Sequence, residues 1–121
     1  MSEHSEHSEQ SAVFAWARAY ETRIPELEML FAVPNAGKRS IGAARYYLEE
    51  GLRSGVPDII LPCAKNGYHG LVIEMKYGKN KTTPNQDKWL HNFAFYGWKT
   101  AVCYSADEAI AELCEYLKIA T

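Results

Sequence analysis

Two carboxylates and one ammonium stand at spacings that could assemble a reactive site. Asp58 opens the apolar stretch Pro57-Asp-Ile-Ile-Leu-Pro62; Glu74 comes sixteen residues later within Leu71-Val-Ile-Glu-Met-Lys, and Lys76 is two positions beyond it. Alternate residues of a β-strand share a face, so Glu74 and Lys76 point one way while Met75 points into the core. If the two stretches pair as a hairpin, Asp58 can lie across from both. Phosphodiester hydrolysis asks for such a set. Hard oxygen ligands hold Mg²⁺ while it keeps several waters, and the ion polarises a phosphate and lowers the pKa of a bound water. A lysine alongside orients or deprotonates that water and stabilises charge in the transition state. A Glu-x-Lys pair on a strand is more often a solvated ion pair, but here Leu71, Val72, Ile73 and Met75 surround the charges with apolar side chains.

The elements that must position these residues are legible from periodicity. Between Gln10 and Thr22, Val13, Ala17 and Tyr20 recur at helical spacing, with Phe14 and Trp16 widening the apolar face and Ser5 or Ser8 available as cap. The first eight residues, a Ser-Glu-His repeat, are expected to be flexible, leaving 9–121 as a single domain. Leu27 to Val33 reads as a strand halted by Pro34-Asn-Ala-Gly37, and Ser40 to Leu52 as a helix stopping near Gly51. The stretches 57–62 and 70–77 are strands joined through an Asn66-Gly67 turn. Thr83 caps a helix with Pro84 at its first position, running to Tyr96 and closed by Gly97. Thr100 to Tyr104 is a strand, and Ser105 caps a last helix with Ile110, Leu113, Cys114 and Leu117 inward. The order α-β-α-β-β-α-β-α predicts one mixed α/β sheet flanked by helices.

Several separated blocks together resemble a known family. Gly55-Val-Pro-Asp58 followed by Ile73-Glu-Met-Lys76 is similar to the PD-(D/E)XK nuclease motif, within a restriction-endonuclease-like core. Pro34-Asn-Ala-Gly-Lys-Arg39, Glu50 to Asp58, Gly70 to Lys76, Pro84-Asn-Gln86, Gly97 and Ser105 to Ala109 stand in the order of the virus-type replication-repair nuclease (VRR-NUC) domain. The resemblance covers residues 6–118 and implies roles residue by residue. Asp58, Glu74 and the main-chain carbonyl of Met75 would hold Mg²⁺ or Mn²⁺, Lys76 would be the catalytic lysine, and Gln86 would lie near the scissile phosphate. An acid on the first helix completes such sites, with Glu9 the first choice and Glu6 the alternative. The pattern often has Gly where Ala36 stands, and Pro-Gly where this chain has Ser54-Gly55. The resemblance further implies a stand-alone phage or prophage endonuclease acting on branched DNA such as a four-way junction, as a homodimer. A catalytically silent DNA-binding module of the same fold is the alternative.

Composition sets the outer limits. With 121 residues, 47% of them hydrophobic and 23% charged, the chain has the size and balance of one globular domain. No apolar run approaches the length of a membrane span, the N-terminus lacks the pattern of a signal peptide, and three dispersed cysteines fit neither a disulfide framework nor a zinc knuckle. A cytoplasmic protein of a bacterial or phage-infected cell is expected. Gly37-Lys-Arg-Ser40 lacks the first glycine and the Ser/Thr of a nucleotide-binding P-loop, so no nucleotide cofactor is expected. The net charge of −2 gives no sign of nucleic-acid binding. Its distribution does. Residues 37–53 hold Lys38, Arg39, Arg45 and Arg53 against two acids, and residues 76–88 hold Lys76, Lys79, Lys81 and Lys88 against one. Asn35, Lys38, Arg39, Lys79 and Lys81 are therefore the candidate contacts to a DNA backbone, whose phosphates dominate affinity. The final helix is acidic, with Asp107, Glu108, Glu112 and Glu115 against Lys118, and lies away from the motif in sequence.

Overall fold

The computed structural model describes residues 5–34 and 41–119. Its helix α1 (Glu6–Tyr20) starts earlier than the periodicity suggests. Ser5 accepts from the Ser8 amide while the Ser8 hydroxyl accepts from the Ser5 amide, a reciprocal cap that closes the helix at Glu6. Residues 6–8 of the repeat are thus helical. A 3₁₀ turn (Pro25–Met29) follows and buries Leu27, so the expected strand shrinks to β1 (Phe31–Ala32). Proline at the start of that turn has its φ preset for helical geometry, which favours the turn over an extended chain.

The remaining elements fall in the expected order: α2 (Ile41–Glu49), β2 (Ile59–Leu61), β3 (Leu71–Met75), α3 (Pro84–Phe95), β4 (Lys99–Cys103) and α4 (Ala106–Leu117). They form a mixed sheet ordered β1-β2-β3-β4, antiparallel except for the β3/β4 pair. The β2–β3 connection turns at Asn66 and Gly67, both at positive φ, with Lys65 and Tyr68 exchanging backbone hydrogen bonds across it. That is the conformation for which Asn-Gly is selected. Thr83 and Gln86 cap α3 reciprocally, and Ser105 caps α4.

Helix α4 packs on α1 and on β3 and β4, while α3 packs on β4. Ile59 and Leu61 of β2 and Leu71, Ile73 and Met75 of β3 face Val13, Ala17, Leu113 and Tyr116 in one core. Val72 and Glu74 alternate with those core residues yet are also buried, so β3 is covered on both faces. A strand in that position can carry a charged group out of water. Among the described residues no helix is long and apolar enough to cross a membrane.

Candidate active site

Strand register brings the two carboxylates together. Ile59 pairs with Ile73, and one step along the antiparallel ladder sets Asp58 opposite Glu74. At that point the Asp58 side chain substitutes for the ladder: its Oδ2 accepts from the Met75 amide at 2.8 Å. Its own carbonyl accepts from Val33, which carries the β1/β2 pairing up to the site. Lys76 is held from the other side, its amide donating to the Cys103 carbonyl at 2.8 Å. Asp58 is thereby fixed by β1 and β3, and Lys76 by β4.

Glu74 is 2% exposed and Lys76 is 8% exposed, with Nζ 4.0 Å from Glu74 Oε2. The other carboxylate oxygen, Oε1, is buried without a hydrogen-bond donor. Burial out of water pushes the Glu74 carboxyl well above the ordinary carboxylate range; the neighbouring Asp58 and Glu6 add to the rise, and Lys76 partly offsets it. The Lys76 ammonium thus stands beside a Glu74 carboxyl that burial and the Asp58 charge bias towards its protonated form. Among the described residues no three His, Cys, Asp or Glu side chains gather as a metal cluster. Any ion here would be held by the Asp58–Glu74 pair, backbone oxygen and water.

Of the two N-terminal acids, Glu6 lines a cavity with Asp58 and Glu9 is engaged elsewhere. Glu6 lines a cavity of about 350 Å³ together with Asp58, Gln10, Phe14 and Arg18. Glu9 instead accepts from the Ala106 amide at 2.8 Å, bracing α1 against the start of α4. Positions 6, 10, 14 and 18 form one stripe of the helix, and 9, 13 and 17 another that turns inward. The packing of α1 on α4 selects which stripe meets Asp58 and turns Glu9 towards α4.

A second cavity of about 150 Å³ shares Asp58 and Val33 and is lined by Arg53, Gly55, Asn85 and Gln86. Gln86 lines this cavity together with Asp58. Its Oε1 accepts from the Thr83 amide, and its amide nitrogen has no partner among the described residues. The loop before Asp58 is pinned to α3, since both Asn85 Nδ2 and Trp89 Nε1 donate to the Ser54 carbonyl. Gly55 permits this approach: it has φ +87°, and a Cβ there would sit 2.5 Å from Asn85 Nδ2.

Lys79 and Lys81 are exposed on the turn following β3, where the Tyr104 hydroxyl donates to the Asn80 carbonyl. Asn35, Lys38 and Arg39 lie outside the described residues. Gln10, Arg18, Arg53 and Asn85 line the site without having been singled out for it, although the four-residue stripe from Glu6 through Gln10 to Arg18 is readable in the sequence.

Comparison with known proteins bears on this geometry. The model of the VRR-NUC domain matches residues 2–107. A solved structure described as a VRR_NUC domain protein superposes with a TM-score of 0.82 at 26% sequence identity, over 98% of this chain and 93% of its own. None of the curated proteins compared with the chain matches it.

Proposed function

Because the chain belongs to the VRR-NUC domain family, whose activity is of nuclease type, we propose that it is a Mg²⁺- or Mn²⁺-dependent endonuclease that hydrolyses phosphodiester bonds in branched DNA. The observation that carries this reading is the buried Glu74 carboxylate, with one oxygen lacking a donor, set against Asp58 and compensated only in part by Lys76. Such a pair costs free energy in isolation and is relieved by a cation. It suits Mg²⁺ or Mn²⁺, hard ions that accept one or two carboxylates and keep several waters.

Asp58, Glu74 and the Met75 carbonyl would hold the ion, with Glu6 acting from α1. A divalent ion bound there supplies phosphate polarisation and a water of lowered pKa. The chain's own groups do the rest. Lys76, fixed through its backbone to β4, places its ammonium 4.0 Å from Glu74 Oε2. There it can orient the attacking water and stabilise negative charge developing on the phosphate. The unpartnered amide of Gln86 donates to a phosphate oxygen, and Lys79 and Lys81 hold neighbouring phosphates.

A cleavage panel of four-way junction, flap, single-stranded and linear duplex DNA in Mg²⁺ and in Mn²⁺ tests the reading. The junction or flap should be cut at least tenfold faster than linear duplex. Lys76→Ala and Glu74→Gln should each lower cleavage by about 10³-fold or more, the scale of losing a preorganised charge at the transition state, while circular dichroism and DNA affinity stay unchanged. Parental cleavage by either variant would sink the assignment.

A further inference from the structure

We propose that Arg18 of α1 and Arg53 of the loop leading into β2 bind the phosphates flanking the scissile one, so that the substrate strand lies in a groove crossing Asp58. The inference rests on the hydrolytic reading of Asp58, Glu74 and Lys76, and adds the path of the strand. The cavities of about 350 Å³ and 150 Å³ share Asp58 and Val33; the first reaches along α1 to Arg18, the second along the loop to Arg53. Asp58 thus borders both cavities.

The charges fall in an order set by these linings: Asp58 borders both cavities, Arg18 only the first and Arg53 only the second. Both arginines are exposed, and among the described residues neither has a carboxylate within ion-pair distance. A guanidinium stays charged at any working pH and its planar fork matches two phosphate oxygens. Neutral donors accompany each one, Gln10 beside Arg18 and Asn85 and Gln86 beside Arg53. A polyanion whose central phosphate meets the cation-binding carboxylates, and whose outer phosphates need cationic partners, fits this order. Arg18 also stands in the last turn of α1, where a cation complements the helix dipole. That role alone would leave DNA affinity untouched.

The test measures binding of the full chain to fluorescent DNA in EDTA, across a range of NaCl, so that affinity is read without turnover. The DNA used is a four-way junction, with a linear duplex run beside it. Arg18→Ala and Arg53→Ala should each weaken binding about tenfold and reduce the slope of log affinity against log salt by about one, as expected for loss of one phosphate contact. Arg18→Lys and Arg53→Lys should restore the slope and only part of the affinity. With Mg²⁺ present, KM should rise while kcat remains within about threefold of the parent. Unchanged salt slopes in both alanine variants, or a parent that does not bind DNA, would overturn the groove. Reduced slopes in a protein that cuts nothing would uphold the groove and discard the hydrolytic reading; normal cleavage with unchanged slopes would do the reverse.

Discussion

At the scale of single residues, Glu74 decides how the site behaves. Its folded-state pKa lies above the ordinary value of 4.5 because burial and Asp58 disfavour the charged form. Folding therefore takes up a proton between that ordinary value and the raised one of about 9, so the contribution of Glu74 is fully present below pH 4.5 and is lost progressively as pH rises towards 9. In EDTA, the melting temperature of the parent should fall between pH 5 and pH 8. Glu74→Gln should flatten that dependence and stabilise the protein at pH 8 by on the order of 1–3 kcal/mol, because a neutral amide needs no proton taken up on folding. Mg²⁺ should raise the melting temperature of the parent and not of Glu74→Gln. Differential scanning fluorimetry over pH, with and without Mg²⁺, reads all three. A flat parental profile in EDTA would show that the carboxylate is not held out of water. The sequence shows this residue's environment, since an acid within Leu-Val-Ile-Glu-Met has apolar neighbours whichever face is buried. It does not show the Asp58 bond to the Met75 amide, which depends on how two strands meet beyond their last ladder pair.

At the scale of elements, α1 does two jobs on two stripes, and this is where the sequence is least explicit. The Ser-Glu-His repeat offers acids three residues apart, and residues separated by three on a helix are neighbours on its surface. Helical periodicity alone leaves both acids near the site. Packing of Val13 and Ala17 into the core chooses between them, turning Glu9 to the amide of Ala106 and Glu6 to the cavity containing Asp58. The hairpin shows the opposite case. The pairing of its two strands is legible from the Asn66-Gly67 turn between two apolar runs, although the ladder, with Ile59 opposite Ile73, stands one residue out of step with the Lys65–Tyr68 pair at the turn. The two stripes of α1 predict separable losses. Glu9→Ala removes an acceptor at the start of α4 and should cost about 1 kcal/mol of stability, the usual scale for losing a cap, with cleavage retained. Glu6→Ala should leave stability within about 0.5 kcal/mol, as for most surface changes, and weaken cleavage at limiting Mg²⁺ by about 10–100-fold, the range for groups that tune a metal site. Urea melts and Mg²⁺ titrations of cleavage separate the two, and a larger activity loss in Glu9→Ala would reverse the assignment.

At the scale of the whole molecule, one chain provides one Asp58–Glu74–Lys76 set, whereas resolving a branch requires cuts on two strands. A two-fold symmetric pair of chains presents two such sites related as the strands of a junction are related, and on this ground we propose that the working form is a homodimer. The charge layout permits it: the acids of α4 are partly answered by Lys99, which approaches Glu115 at 3.4 Å and Glu112 at 4.0 Å, and the exposed Lys79 and Lys81 lie on the turn following the motif strand. Sedimentation should then give twice the chain mass of 13.7 kDa. A mixing experiment gives the sharper test. Parent and Lys76→Ala, unfolded together in equal amounts and refolded, would form half their dimers with one live and one dead site, if pairing is random. On a four-way junction these mixed dimers should nick one strand and leave its partner intact, so singly nicked product should accumulate well above its level with the parent alone. If each chain acts independently, the mixture should only halve the rate and leave the ratio of nicked to resolved product as it is for the parent at half concentration. That second outcome would remove the dimer from the mechanism while leaving the chemistry of the single site in place.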